Sequence, residues 1–345
     1  MKNKTPPKPV WLSQVEDAPA PDWLWQGRIP KGHLTILEGP PGQGKTMLLL
    51  DIASRLSRAK PLPDVPPEKC SARMQRTLIL TGEDDLGTLR ARVLAAGGDC
   101  SSIGVVEEIL AFPGDACALA NVVHDYGVDM LIIDPINSYL SEKINGHNDQ
   151  ETRRALQPLR DIARREGVAV VLVRHLTKNT TGPAVNRGMG SIAFSALARS
   201  QLQLVQHDQG FALARAKGNL GKPPMALPFT IEGDEDSPRI LWGEPFPGTA
   251  DALLNGTTET GSPSDRRCAE FIIERLKQSG GNVLSAILEK EGASYGFNIP
   301  VLKRAKAILK NEGKAYSKKV GESWFVVMNQ EIKSSIPRAP ELLNS

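Results

Sequence analysis

The segment GPPGQGKT at residues 39–46 has the residue types and spacing of a phosphate-binding loop. It matches G-x-x-x-x-G-K-[ST] in full, with an apolar run before it and a helix-forming run after it. The glycines let backbone N–H groups point at a phosphate, Lys45 would reach the β- and γ-phosphates, and the Thr46 hydroxyl would bind Mg²⁺. We therefore predict a site for ATP with Mg²⁺. The predicted ATP-binding residues are Gly39, Pro40, Pro41, Gly42, Gln43, Gly44, Lys45, Thr46 and Met47.

Two acidic residues that follow apolar runs could complete this chemistry. Asp134 ends the run MLIID, where an acid would hold Mg²⁺ through water, and Pro135 stands where AAA+ and DEAD-box proteins place a Glu. The attacking water therefore needs a base from another strand. Glu83 follows TLILTG directly and would face the γ-phosphate from a neighbouring strand end, so we predict it as the catalytic base. Asp84 and Asp85 are placed to cap the next helix.

The elements that must position these residues follow from the hydrophobic pattern. Continuous apolar runs alternate with helix-forming stretches from residue 34 onward. The pattern predicts strands at 34–39, 77–82, 130–134, 168–175, 200–207, 211–217 and 225–233, and helices at 45–56, 85–96, 116–126 and 149–166. Such alternation indicates an α/β fold with a mainly parallel sheet and helices on both faces. The late strands have no helices between them, so antiparallel additions are expected at that end of the sheet.

Composition narrows the class of protein. The chain has 345 residues, 40% of them hydrophobic, which is enough for a sizeable core, and its formal net charge is only +3. Its four cysteines, at positions 70, 100, 117 and 268, form no CxxC pair, so we expect reduced thiols and no zinc site. We find no apolar run that predicts a signal peptide or a membrane span, and we expect a cytoplasmic protein without a membrane partner.

Changes in composition suggest the domain boundaries. Residues 1–30 are rich in Pro and Trp and are interpreted as an N-terminal arm. Residues 31–247 hold the predicted ATPase domain. Residues 248–264 are small and polar, which is typical of a linker, and they precede a compact unit at 265–330 and a flexible tail at 331–345.

The C-terminal unit concentrates positive charge. Residues 263–330 contain 12 Lys and Arg against 7 Asp and Glu. The pattern predicts three helices, at 264–278, 283–292 and 298–313, followed by a hairpin, which is a winged-helix pattern with the third helix for recognition. The predicted phosphate contacts are Lys303, Arg304, Lys306, Lys310, Lys318 and Lys319. Winged helices also bind proteins, and lysines favour solvated helix faces, so this alternative stays open.

Taken in order, these motifs resemble the RecA-like core of RepA-type plasmid and phage replicative helicases. The segments that carry the resemblance lie within residues 21–233 and are PDWLWQGRIPKGHLTILEGPPGQGKT, TGEDD, IIDPINSYL, VVLVRHLTK and GSIAFSALARS. The resemblance implies that His175 senses the γ-phosphate, although that group often has His-His where Arg174-His175 stands here. It also implies a mobile loop at 177–191 that touches DNA through Lys178 and Arg187; a plain surface loop is the alternative.

Enzymes of this family complete their site with a cation from the next subunit. A cation against the transferring phosphate raises the rate by several orders of magnitude. Arg199 resembles the arginine of the RepA-type group, whereas Arg215 and Lys217, one residue apart on a late strand, resemble the fingers of ring helicases. The sequence leaves both assignments open.

The leading hypothesis is therefore a hexameric ring ATPase that moves on single-stranded DNA and unwinds duplex during replication of a plasmid, phage or mobile element. A replication initiator or a primase is a further possible partner. The alternative is an ATP-dependent DNA-binding switch that loads replication or repair proteins without unwinding. A small-molecule kinase or a GTPase is disfavoured, because the sequence shows no lid-type Arg cluster and no N-K-x-D motif.

Overall fold

The computed structural model describes residues 20–146, 148–176, 184–208, 210–233, 238–255 and 263–329, together with Trp11 and Ser13. Within these residues the strands β1 to β14 are, in chain order, Trp23–Trp25, Ile29–Pro30, Leu34–Gly39, Thr77–Thr81, Ile103–Val106, Met130–Asp134, Ala169–His175, Ser200–His207, Gly210–Gly218, Leu227–Glu232, Arg239–Trp242, Asn282–Leu284, Ala315–Val320 and Ser323–Met328. The helices α1 to α9 are Lys45–Ser57, Leu86–Ala95, Ala116–Asp125, Asp149–Glu166, Ala193–Leu197, Ala250–Asn255, Pro263–Gln278, Ser285–Ser294 and Ile299–Asn311.

The main sheet has nine strands in the order β11-β10-β9-β8-β3-β7-β6-β4-β5. The six strands from β8 to β5 in this order run parallel, and β9, β10 and β11 add antiparallel pairs at one end. The predicted mainly parallel α/β fold with late antiparallel additions is therefore confirmed. Because parallel strands end at the same edge, the carboxyl ends of β3, β4, β6 and β7 lie together.

Helices cover both faces of this sheet. Successive residues of β7 point to opposite faces, so Val171 and Val173 belong to one core while Val170 and Leu172 belong to the other. The first core is packed under α1 and α2, and the second under α3, α4 and α5. Burial on both faces explains why these strands are apolar throughout.

The predicted N-terminal arm ends earlier than residue 30. Strands β1 and β2 pair with each other, and Trp25 is fully buried in the first core. The Trp25 indole N–H donates to the carbonyl of Pro63 at 3.0 Å, and the buried Arg28 guanidinium lies 3.0 Å from Asp64. Large aromatic burial of this kind makes the segment from residue 21 part of the unit built on the main sheet, so the arm predicted at 1–30 ends earlier. The rest of the arm lies almost wholly outside the described residues.

The predicted linker at 248–264 also begins with folded structure. Helix α6 occupies part of it, and Ala250 and Leu253 are buried against Val205 and Ala212 of β8 and β9. The small and polar composition predicts a linker, but this part of it is a helix whose apolar side chains pack on the sheet. Residues 256–262 and the predicted tail at 331–345 lie outside the described residues.

The C-terminal unit has its own core, formed by α7, α8, α9 and a three-stranded sheet in the order β12-β14-β13. The three predicted helices and the hairpin are present, and the hairpin turns at Gly321 with φ of 58°. Strand β12, which the pattern did not predict, precedes α8. Assignment to the winged-helix class stays a prediction. In the described part of the chain, no helix is long and apolar enough to cross a membrane.

Candidate nucleotide-binding site

The predicted phosphate-binding loop connects β3 to α1. Gly42 and Gly44 have φ of 71° and 76°, in the left-handed region that glycine adopts without strain. A Cβ added at Gly44 would lie 2.5 Å from the Ile231 side chain, which reaches over the loop from β10. The buried Lys45 ammonium donates to the carbonyls of Gly39 at 3.0 Å and Pro40 at 2.9 Å. The lysine is therefore held at the loop by groups that a phosphate could replace.

The predicted metal ligands meet at the end of β6. The Thr46 hydroxyl donates to the Asp134 carboxylate at 2.7 Å. Burial raises the pKa of Asp134, while the Thr46 hydrogen bond and the charge of Lys45 lower it. Burial lowers the pKa of Lys45, and the charges of Asp134 and Glu83 raise it. A half-buried hydroxyl and a buried carboxylate in contact offer oxygen atoms of the kind that Mg²⁺ prefers.

These two residues fit Mg²⁺ bound together with nucleotide. Among the described residues, no group of three or more His, Cys, Asp or Glu side chains could hold a metal ion. Mg²⁺ usually takes one or two protein oxygens and completes its shell with substrate phosphates and water. Thr46 and Asp134 would hold the ion, and the ion would neutralise charge on the phosphates.

The predicted base and the predicted sensor lie beside each other. Glu83 follows β4, which pairs with β6 so that Thr81 is opposite Asp134. His175 ends β7, opposite Gly39 of the phosphate-binding loop. The His175 Nε2 and the Glu83 carboxylate are 3.9 Å apart. The sheet therefore brings both residues to the edge that carries the loop.

The acids next to Glu83 have structural roles. Asp85 caps α2 by accepting from the Thr88 backbone N–H at 2.9 Å, and Asp84 lies 2.9 Å from the Arg92 guanidinium. The Glu83 carboxylate is not used in the cap, and its side chain is 59% exposed. Glu83 is thus the acid of this turn that remains available to a water molecule.

The three predicted finger residues lie at the opposite edge of the sheet. The Arg199 backbone N–H donates to the carbonyl of Leu34, at the first residue of β3, at 3.0 Å. From there to Gly39 is five residues of strand, or roughly 16 Å at the usual rise. Strand β9 runs antiparallel to β8, so Arg215 and Lys217 lie near the same edge. None of the three lies at the phosphate-binding loop of its own chain.

The surroundings of these cations differ. Arg215 is buried and donates to the carbonyl of Gly221 at 2.9 Å, and Gly218 packs against its guanidinium. The Lys217 ammonium donates to the carbonyl of Ser195, and burial followed by the charge of Arg199 lowers its pKa. Arg199 is exposed, and its guanidinium has no hydrogen bond or ion pair with the described residues. Arg199 is therefore the cation best placed to reach another molecule.

The predicted DNA contacts divide into exposed and buried residues. Lys303, Lys310, Lys318 and Lys319 are exposed. Lys306 is half-buried, 3.8 Å from Glu289. Lys178 lies outside the described residues.

Two predicted DNA contacts do not face solvent. Arg187 is buried. Arg304 is also buried, with its guanidinium 2.9 Å from Asp265 and 3.5 Å from Asp208, which directly follows β8. The sequence of α9 does not distinguish the buried Arg304 from the exposed lysines beside it, because the partners of Arg304 are distant in sequence. These positions do not suit a surface contact with phosphate.

Sequence reasoning missed a polar cluster behind the site. Glu38 and Arg174 form a buried ion pair between β3 and β7. Each charge interrupts an otherwise apolar strand, and that interruption was the available signal.

The loop on a mainly parallel sheet, with the hydroxyl of its Thr against a strand-end Asp, defines a P-loop nucleotide-binding protein. The chain matches the AAA_25 family, described as an AAA domain, over residues 4–181, just over half of its length, and it belongs to that family. The DNA repair protein RadA of Mycobacterium tuberculosis is 27% identical over 180 residues, which cover 51% of this chain and 32% of RadA. RadA of Bacillus subtilis is 23% identical over 200 residues, which cover 56% of this chain and 37% of RadA.

The chain thus spans about a third of the length of these curated relatives. Among solved structures, a KaiC-like protein from Pyrococcus horikoshii matches 63% of this chain and 93% of its own, with 18% identity and a TM-score of 0.44. The family match places the chain among P-loop proteins with an AAA domain. The RecA-like core is the expectation with which the likeness to RadA agrees. The RepA-type subgroup stays a prediction.

Proposed function

We propose that this chain is a ring-forming, DNA-stimulated ATPase that moves on single-stranded DNA and unwinds duplex. The observation that carries the proposal is the placement of Arg199, exposed at the sheet edge opposite the phosphate-binding loop of the same chain. A cation there can complete an ATP site only in another copy. Copies related head to tail would each offer an ATP edge to one neighbour and a cation edge to the other.

Within one copy, the residues divide the hydrolysis chemistry among them. Lys45 and the loop N–H groups would bind the phosphates, and Thr46 and Asp134 would hold Mg²⁺. Glu83 would accept a proton from the attacking water, or orient it. His175, 3.9 Å from Glu83, would sense whether the γ-phosphate is present.

The DNA part of the proposal rests on charge and on likeness. The exposed lysines of the C-terminal unit, Lys303, Lys310, Lys318 and Lys319, suit phosphate contacts that carry no sequence preference. The relatives RadA are named as DNA repair proteins. The proposal takes DNA, rather than another polyanion, as the partner of this chain.

A subunit-mixing experiment tests the shared site. Arg199→Ala keeps its own phosphate-binding loop but loses the finger, and Lys45→Ala keeps the finger but loses the loop. Each variant alone should hydrolyse little ATP, and a co-assembled mixture should recover part of the wild-type rate. A mixture of Lys45→Ala with Thr46→Ala, both defective in the loop, is the matched control. A mixture that is no more active than its components would refute a finger supplied by Arg199.

Coupling to DNA is tested by the rate of ATP hydrolysis with and without single-stranded DNA at modest salt. Stimulation on the order of tenfold, a typical size for coupling between two sites, is expected of a motor. Strand displacement then separates an unwinding enzyme from a switch. Hydrolysis that ignores DNA would favour the switch, with the C-terminal unit as a surface for protein contacts.

A further inference from the structure

Glu38 and Arg174 place two opposite charges inside the main sheet. They lie opposite each other on the neighbouring strands β3 and β7, and their side chains are 0% and 2% exposed. The Arg174 Nε donates to the Glu38 carboxylate at 3.0 Å, and Nη2 donates to the same oxygen. The buried Gln201 amide, from β8, donates to the other Glu38 oxygen at 2.8 Å.

A buried ion pair is weak evidence for a stabilising role. Burial raises the pKa of Glu38, and the Arg174 charge and the hydrogen bonds from Arg174 and Gln201 oppose that rise. A buried ion pair is often no more stabilising than apolar side chains of the same volume. The alternative is that the Glu38–Arg174 pair holds a neighbouring segment of the chain in place.

The groups that the pair holds belong to the segment 184–195. Arg174 Nη1 donates to the carbonyl of Ser191 at 3.3 Å, and its guanidinium lies 4.4 Å from the centre of the Phe194 ring. Gln201 donates to the carbonyl of Val185 at 3.1 Å. Gly188 packs so closely that a Cβ there would clash with the Arg174 guanidinium and the Glu38 carboxylate.

Both members of the pair stand one residue from the nucleotide site. Glu38 precedes Gly39, whose carbonyl accepts from Lys45. Arg174 precedes His175, whose carbonyl accepts from the Met189 backbone N–H at 2.9 Å. A movement of the carboxyl end of β3 or β7 would therefore move Glu38 or Arg174. Segment 184–195 would follow, because it is hydrogen-bonded to Arg174 and to His175.

We propose that the Glu38–Arg174 pair, with Gln201, is a positioning device that transmits the nucleotide state of the site to residues 184–195. The pair touches neither nucleotide nor metal. It acts through the two strands whose ends carry the phosphate-binding loop and the sensor. The inference rests on the proposed function for ATP binding, and it does not require DNA.

The test compares hydrogen–deuterium exchange of residues 184–195 with and without a non-hydrolysable ATP analogue and Mg²⁺. The variant is the double substitution Glu38→Gln with Arg174→Met, which removes both charges, keeps an acceptor for Gln201 and nearly conserves volume. The control is Arg28→Met, which removes another buried arginine, paired with Asp64 at 3.0 Å and bonded to no residue of the segment. Thermal unfolding and analogue affinity are measured for all proteins.

In the wild type and in Arg28→Met, the analogue should slow exchange in this segment by roughly tenfold, the scale of a modest coupling between sites. In the double variant, which should still fold and bind the analogue, the slowing should fall below about twofold. Should the double variant not fold, Gln201→Met, which keeps the ion pair and removes the hydrogen bonds to Glu38 and Val185, is measured in the same way and should also lose most of the slowing.

Two outcomes would overturn the inference. One is a double variant whose exchange responds to the analogue as the wild type does, which would make the pair merely structural. The other is a wild type that binds the analogue without any change in this segment. Failure of the proposed function would give different results. ATP hydrolysis would not respond to single-stranded DNA, or a mixture of Arg199→Ala and Lys45→Ala subunits would not recover activity.

Discussion

Replacing Glu83 with Gln should separate ATP hydrolysis from nucleotide binding, because Glu83 is the proposed catalytic base. The side chain is 59% exposed and lies in the turn after β4, so the free energy of unfolding should change by less than about 0.5 kcal/mol. The carboxylate lies 3.9 Å from His175, at the sheet edge that carries the phosphate-binding loop. A positioned base contributes roughly 10² to 10⁴ in rate, so the variant should lose about 2.7 to 5.4 kcal/mol of transition-state stabilisation.

The assay pairs steady-state ATP hydrolysis with equilibrium binding of a fluorescent ATP analogue. Glu83→Gln should bind the analogue within about twofold of the wild type, because in the proposed site the loop and Lys45 would hold the phosphates. Asp84→Asn is the matched control, since it changes the adjacent acid, which lies 2.9 Å from Arg92, and should keep the wild-type rate. A Glu83→Gln rate near that of the wild type would refute Glu83 as the base.

Three further predictions follow from individual positions. Gly188→Ala forces a methyl group against Arg174 and should destabilise the protein by about 1 to 3 kcal/mol in thermal unfolding, whereas Gly82→Ala, which meets open space, should not. The proposed Mg²⁺ site requires ionised Asp134, whose pKa burial raises. Mg²⁺-dependent nucleotide affinity should therefore weaken as pH falls through that pKa, at a higher pH than for an ordinary aspartate, whose pKa is about 3.9. Lys319→Ala should weaken binding to single-stranded DNA without sequence preference and lower the slope of log affinity against log salt by about 1.

The raised pKa of Asp134 also makes the free energy of unfolding depend on pH. Without nucleotide, the folded state holds the proton more tightly than the unfolded state does. The stability that this contributes is present below the usual aspartate pKa and is lost as pH rises through the folded value. Asp134→Asn should therefore flatten the pH dependence of unfolding in this interval.

The sequence predicted the bounds of a strand or helix correctly where the residues of that element alone determine its hydrophobic pattern. Strand β6 and helix α4 have their predicted bounds, because a continuous apolar run and a capped amphipathic stretch each need only local residues. Strand β5 was not predicted, because this outermost strand of the sheet is short and only half-buried. Helix α6 was missed because its small residues have linker composition.

In the candidate site, too, local patterns could be predicted from the sequence, whereas contacts between distant residues could not. The phosphate-binding loop, Asp134 and Glu83 could be placed because each follows an apolar run, and parallel strands end at one edge. The burial of Arg304 could not be predicted, because its partners Asp208 and Asp265 are brought to it only by the fold. Charged residues inside strands, such as Glu38 and Arg174, need the register of neighbouring strands before their pairing is visible.

The proposed catalytic residues lie at two opposite edges of one sheet, and this placement would constrain how copies assemble. The edge with the phosphate-binding loop carries Lys45, and the opposite edge carries the exposed Arg199. In the proposed assembly, the contact that completes a site would therefore join two different surfaces. Such head-to-tail contacts close into a ring only if their rotation permits, and otherwise they grow into filaments. The proposed hexamer predicts one assembly whose mass, measured by light scattering with an ATP analogue, stays constant as protein concentration rises. A mass that keeps increasing with concentration would keep the shared site but replace the ring with a filament.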